Sequence, residues 1–164
     1  MSDETVSLKG RVAIVTGGFS GIGLSAACAL ARQGVSVALG ARTVIDQSLQ
    51  QVRDYGQPVH GGVLDVRDSA SAAHFFSQVE QNLGAADILV NSAGIGTSQS
   101  VAEHDESDWL NVIDTNLTGC FRMMRACLPG MMARGWGRIV SVGSTAARTA
   151  VPGYAAYCAS KSGL

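Results

Sequence analysis

The segment that most limits what this chain can fold into is Val12-Ala13-Ile14-Val15-Thr16-Gly17-Gly18-Phe19-Ser20-Gly21-Ile22-Gly23. A short apolar run of strand type leads straight into a turn rich in glycine. A helical pattern then opens near Ile22 and runs to Gln33, where Gly34 supplies a stop signal. Gly17 lets the chain turn sharply, and Gly21 removes the Cβ that would keep an anion away from the backbone. Gly23 lets the helix sit close to the strand. Ser20 and Ile22 fall at the helix entry, where free N–H groups and the helix dipole favour phosphate. The spacing is G-x-x-x-G-x-G. A glycine-rich turn with no ligand is the competing reading, and the strand–turn–helix context weighs against it.

The rest of the chain repeats that alternation. Apolar runs at Val35–Leu39, Val59–Leu64, Ile88–Val90 and Arg138–Val142 read as further strands. Helical patterns cover about Ile45–Tyr55, Ala70–Leu83, Glu106–Asn116 and Leu117–Ala133, and a last helix starts near Tyr154. Continuous apolar strands imply that both faces of the sheet are covered. Right-handed crossovers then require a doubly wound parallel sheet, an α/β Rossmann-like fold with strand order 3-2-1-4-5. No repeat, low-complexity tract or linker interrupts it. Residues 1–164 therefore read as a single domain.

Composition narrows the function classes. Twelve basic residues against thirteen acidic ones leave no footprint for nucleic acid and no polybasic membrane patch. Met1 to Gly10 includes Asp3 and Glu4 and lacks an apolar stretch, so it is not a signal peptide. No apolar run reaches the ~18 residues a membrane span needs. The expectation is a soluble, cytoplasmic protein. Cys28, Cys120, Cys127 and Cys158 form no C-x-x-C pair and read as buried thiols in a reducing compartment. His60, His74 and His104 share no metal-ligand spacing, so no metal site is expected.

The chemistry-bearing residues lie near the end of the chain. Tyr157 and Lys161 stand at i and i+4, on one face of the last helix. A phenol is a poor acid or base near neutrality because its free pKa is about 10. A neighbouring ammonium favours the phenolate, and a tyrosine so placed can exchange a proton with a carbonyl oxygen. Alone, such a pair is common on surface helices. Ser144, thirteen residues before Tyr157 and just past the fifth strand, adds a hydroxyl able to stabilise charge developing on that oxygen. Tyr154 is the rival tyrosine, but its i+4 residue is Cys158.

These motifs, taken together and in order, resemble the short-chain dehydrogenase/reductase family over about residues 7–164. Thr16-Gly17 through Gly23 is similar to that family's pyrophosphate turn, and Asn91-Ser92-Ala93-Gly94 to its Asn-Asn-Ala-Gly motif, departing at Ser92. The resemblance implies an NAD(P)-binding domain that moves a hydride between nicotinamide and a carbonyl or secondary alcohol. Tyr157 would be the general acid/base. Lys161 would also hold the nicotinamide ribose. Asn116, in Asp114-Thr115-Asn116-Leu117, would hold a water in a proton relay, its alternative being a helix-breaking cap. Asn91 would steady the central strand, and the Ala93-Gly94 backbone would flank the cofactor. Asp65 would accept from the adenine amino group, helped by the Val66 backbone. Asp68 more simply caps the next helix.

At the end of the second strand, Ala41 stands where NAD-using relatives place an acid. Arg42 stands where many NADP-using ones place a base. NADP(H) is the expected cofactor, with NAD(H) as the alternative. Partners are a small-molecule carbonyl or alcohol substrate, and full-length relatives are homo-oligomers. Family members are longer than 164 residues and add two strands and a substrate loop. The expectation is therefore a C-terminally truncated member whose lysine lies near a fraying helix end and whose fifth strand is an exposed edge. The alternative is a non-catalytic dinucleotide-binding module. A serine hydrolase built on Ser144 lacks a G-x-S-x-G elbow.

Overall fold

A computed structural model describes residues 7–164. Five parallel strands form one sheet in the order β3-β2-β1-β4-β5: β1 (Val12–Thr16), β2 (Ser36–Ala41), β3 (Val59–Val63), β4 (Ile88–Asn91) and β5 (Arg138–Ser141). Six helices connect and follow them: α1 (Gly21–Arg32), α2 (Asp46–Arg53), α3 (Ser69–Asn82), α4 (Glu106–Ile113), α5 (Gly119–Ala133) and α6 (Ala155–Ser162). This is the doubly wound order expected from the alternation.

Side chains of β1 alternate between two cores, as the strand period requires. Ala13 and Val15 join Ala27, Val37, Leu39 and Val52 on the α1/α2 side. Val12 and Ile14 join Leu64, Phe75, Leu89 and Met123 on the α3/α5 side. All five residues of β1 are buried, so the strand that delivers the glycine turn is held from both faces.

The outer strands depart from the expectation of complete cover. β3 reads Val59-His60-Gly61-Gly62-Val63 and is only half-buried, because it is the edge strand on that side: Leu49 and Phe75 pack directly on Gly61 and Gly62, while Val63 is left exposed. β5 is the other edge strand of the described sheet, with Val140 54% exposed. The gap expected between helices at Asn116 and Leu117 is absent. A five-residue π-helical turn, Asp114–Thr118, carries α4 into α5 without a break. Asn116 is therefore not a cap.

Cys28, Cys120 and Cys127 are buried and Cys158 is half-buried, all unpaired. Burial pushes the Cys127 thiol up to about 11. Among the described residues no helix is long and apolar enough to cross a membrane, and no cluster of His, Cys, Asp or Glu could hold a metal ion. Of the leader reading made on Met1–Gly10, residues 1–6 lie outside the described residues.

Candidate active site

The glycine turn leaves the carboxyl end of β1 and is clamped on two sides. The Gly17 N–H donates to the Gly40 carbonyl at 2.7 Å, tying it to β2. The Thr16 hydroxyl accepts from the N–H groups of Ser92 and Ala93 at 3.1 and 3.0 Å, tying it to the loop after β4. Gly17 has φ +63°, and a Cβ there would lie 3.0 Å from the Ala93 backbone. A Cβ at Gly23 would overlap the Gly17 carbonyl oxygen, so α1 starts in direct contact with the turn. Gly21, at φ +51°, faces open space. Ser20 is extended and its hydroxyl makes no capping bond, which leaves the first amides of α1 without a side-chain partner. Ile22 beside it is 65% exposed.

Two adjoining clefts run along this carboxyl edge and share Gly17, Ser20, Ala93 and Gly94. The first, about 230 Å³, extends over Gly40 and Ala41 to Arg42, Asp65 and Val66. The second, about 370 Å³, extends over Gly21 and Ile22 to Gly143, Tyr157 and Lys161. A larger, more open depression of about 750 Å³ lies along α4, among Asp108 and Asp114; it shares Asp65 and Arg67 with the first cleft and reaches neither the turn nor Tyr157. The glycine turn and the Tyr–Lys pair therefore meet in one continuous cleft.

Tyr157 and Lys161 stand on α6. Lys161 is 8% exposed, donates from Nζ to the Val142 carbonyl at 2.7 Å, and sits 5.8 Å from the centre of the Tyr157 ring. The end of α6 is tied rather than loose: besides that bond, the Ser162 hydroxyl donates to the Ala147 carbonyl at 2.9 Å. Tyr157 is half-buried. A Cβ at Gly96 would lie 3.3 Å from its ring, and Tyr154 meets it edge-on at 6.4 Å.

Asn116 is fully buried behind the cleft. Its Oδ1 accepts from Ile95 N–H at 2.8 Å, and its Nδ2 donates to the Ile95 carbonyl at 2.9 Å and to Ser160 Oγ at 3.0 Å. One amide thus joins the π-turn, the loop after β4 and α6. Ser144 is half-buried beside the cleft-lining Gly143, and its Oγ accepts from Ala146 N–H at 3.1 Å. Asn91 is buried at the end of β4 and donates to Ser141 Oγ at 3.3 Å, joining β4 to β5.

At the far end of the first cleft the Asp65 carboxylate is already engaged. Arg67 donates from Nε and Nη2 at 2.9 and 2.6 Å and from its backbone N–H at 3.0 Å. These hydrogen bonds hold the Asp65 carboxyl down at about 2. Arg42 is exposed and makes no side-chain hydrogen bond or ion pair among the described residues.

Sequence reasoning assigned no role to Thr16, Ser160 or Arg67. The only available signals were their places: Thr16 ends a strand, Ser160 lies between the tyrosine and lysine positions, and Arg67 stands two residues after an acid in a loop.

Fold and site together define a Rossmann-like α/β fold with an open glycine turn and a Tyr–Lys pair at one sheet edge. Residues 11–164 match the family described as short chain dehydrogenase, and the chain belongs to that family. A Streptomyces virginiae protein named as a ketoacyl reductase of the monensin polyketide synthase is 46% identical over 158 residues, which are 94% of this chain and 60% of that protein. A 3-oxoacyl-acyl-carrier-protein reductase of Haemophilus influenzae is 34% identical, over 96% of this chain and 64% of the relative. The solved structure of a tryptophan variant of the actinorhodin polyketide ketoreductase with NADPH superposes with TM-score 0.90 at 39% identity, covering 93% of this chain and 60% of that one. The chain thus spans roughly three fifths of the length of these relatives.

Proposed function

We propose that residues 1–164 form one NADP(H)-binding domain carrying the reaction centre of an oxidoreductase that interconverts a carbonyl and a secondary alcohol. One observation carries this reading: Tyr157 and Lys161 line the same cleft as Gly21 and Ile22. The cleft fits a dinucleotide. Gly21 faces open space where a Cβ would obstruct an anion, and the Ser20 hydroxyl and the first amides of α1 have no side-chain partner. A bound nicotinamide would supply or accept the hydride.

The protein's own groups handle the proton and the geometry. The Tyr157 hydroxyl gives a proton to, or takes one from, the substrate oxygen. Lys161, aimed by Val142, places its ammonium beside that ring and would hold the nicotinamide ribose. Ser144 accepts from Ala146, so its O–H stays free to donate to the substrate oxygen and stabilise charge there. Asn116 locks α6 against the loop that carries Ala93 and Gly94. Asp65 and the Val66 backbone would hold the adenine, and Arg42 would meet a 2′-phosphate, which favours NADP(H) over NAD(H). The NADPH in the solved ketoreductase supports that preference. The relatives' names favour a 3-oxoacyl thioester as substrate.

The test is NADPH oxidation with a panel of 3-oxoacyl thioesters and simple ketones. Tyr157→Phe is expected to lower turnover about 100-fold or more while NADPH affinity stays within about twofold. Wild-type rates in that variant would overturn the assignment. Cofactor binding without turnover in the unaltered protein would instead support a binding module.

A further inference from the structure

Among the described residues, three charged side chains line the adenosine end of the cleft: Arg42, Asp65 and Arg67. Arg67 is not free to move toward a ligand. Its Nε and Nη2 are held by Asp65, and its Nη1 donates to Asn111 Oδ1 on α4 at 2.7 Å. A guanidinium gripped from both sides acts in place, as a fixed neutralising charge, with Asn111 setting its plane.

We infer that Arg67 is a positioning residue that sets cofactor preference: by neutralising Asp65 it leaves Arg42 as the one uncommitted charge among the described residues at this end of the cleft. The inference rests on the reading that this cleft takes a dinucleotide. The physical argument is charge balance. Two arginines and one carboxylate give the lining a net charge of +1 (2 − 1). Without Arg67 the carboxylate would stand bare beside Arg42, the lining would be neutral, and a dianionic 2′-phosphate would lose its advantage. NADH shares the adenine and lacks that phosphate, so the ratio of the two affinities isolates the effect.

The experiment is fluorescence titration of the protein with NADPH and with NADH, read as the ratio of the two Kd values. Arg67→Ala brings the lining to zero and is expected to cut the preference for NADPH on the order of tenfold, less at high salt. Asp65→Asn brings it to +2 and is expected to raise the preference, whatever it does to adenine binding common to both cofactors. The double variant returns to +1 and should fall within about threefold of the unaltered ratio, as should Arg67→Lys. Should Arg67→Ala unfold, as a thermal melt would show, Asp65→Asn and Arg67→Lys still decide the matter. Equal weakening of both cofactors in Arg67→Ala, or a lower preference in Asp65→Asn, overturns the inference. Failure of the unaltered protein to bind either cofactor overturns the reading of the cleft itself, and this inference with it.

Discussion

The buried ammonium of Lys161 donates to the carbonyl oxygen of Val142, nineteen residues earlier, at 2.7 Å. The bond joins α6 to the segment leaving β5 and aims the lysine along the cleft beside Tyr157. Lys161→Met keeps the packing of the alkyl stem but removes the charge and leaves the Val142 carbonyl without that donor. Turnover is expected to fall at least about 100-fold, with stability lowered by about 1–2 kcal/mol. Steady-state kinetics and urea denaturation measure the two effects separately. Unchanged turnover would show that the ammonium only anchors the helix.

Arg42 stands exposed at the end of β2, without an ion-pair partner among the described residues. Arg42→Ala is expected to weaken NADPH by about tenfold or more and NADH by less than about twofold, since only the former carries a 2′-phosphate for the guanidinium to meet. Titrations with both cofactors check this. Equal losses would remove the phosphate contact from the site.

Two glycines of the turn should fail differently. Gly23→Ala drives a methyl into the Gly17 carbonyl and is expected to cost about 1–3 kcal/mol of stability through forced backbone shifts. Gly21→Ala meets no neighbour but must hold φ +51°, a strain of about 1–2 kcal/mol. The Gly21 methyl points into the space assigned to the cofactor, so its larger effect should be on NADPH affinity. Thermal melts with and without NADPH separate the two.

Acid sensitivity should carry a signature of Asp65. Its folded value, about 2, lies below the ordinary carboxylate value because Arg67 hydrogen-bonds the ionised form. The stabilisation is therefore complete above about pH 4 and is lost as pH falls toward 2. The pair is partly exposed, so solvent screening keeps the contribution within about 1 kcal/mol. Asp65→Asn is expected to flatten the stability profile between pH 4 and 2, measured by denaturation at several pH values. A profile parallel to the wild type would place the acid sensitivity elsewhere.

Much of the fold was readable from local signals. Val12–Val15 followed by the glycines announces a buried strand entering a phosphate turn, and the repeated strand–helix alternation leaves few topologies open. The Tyr157/Lys161 spacing places both side chains on one helical face, as the structure shows. The junction at Asn116 was not readable. A π-turn carries no composition of its own, and an Asn between two helical patterns also fits a cap. Half-burial of β3 was also hidden, because an apolar run does not tell an edge strand from a central one.

The sequence by itself determined the parallel α/β architecture, its strand order and the edge at which a ligand would meet the chain. Those follow from periodicity, turn chemistry and the handedness of crossovers, all expressed over short stretches. Tertiary structure alone decided that Asn116 grips Ile95 and Ser160, that Thr16 brackets Ser92 and Ala93, and that Arg67 reaches Asn111 while holding Asp65. Most of these contacts join residues tens of positions apart. Their lengths and angles exist only once two layers of helices have packed on the sheet, because no local pattern specifies which distant donor will meet which acceptor.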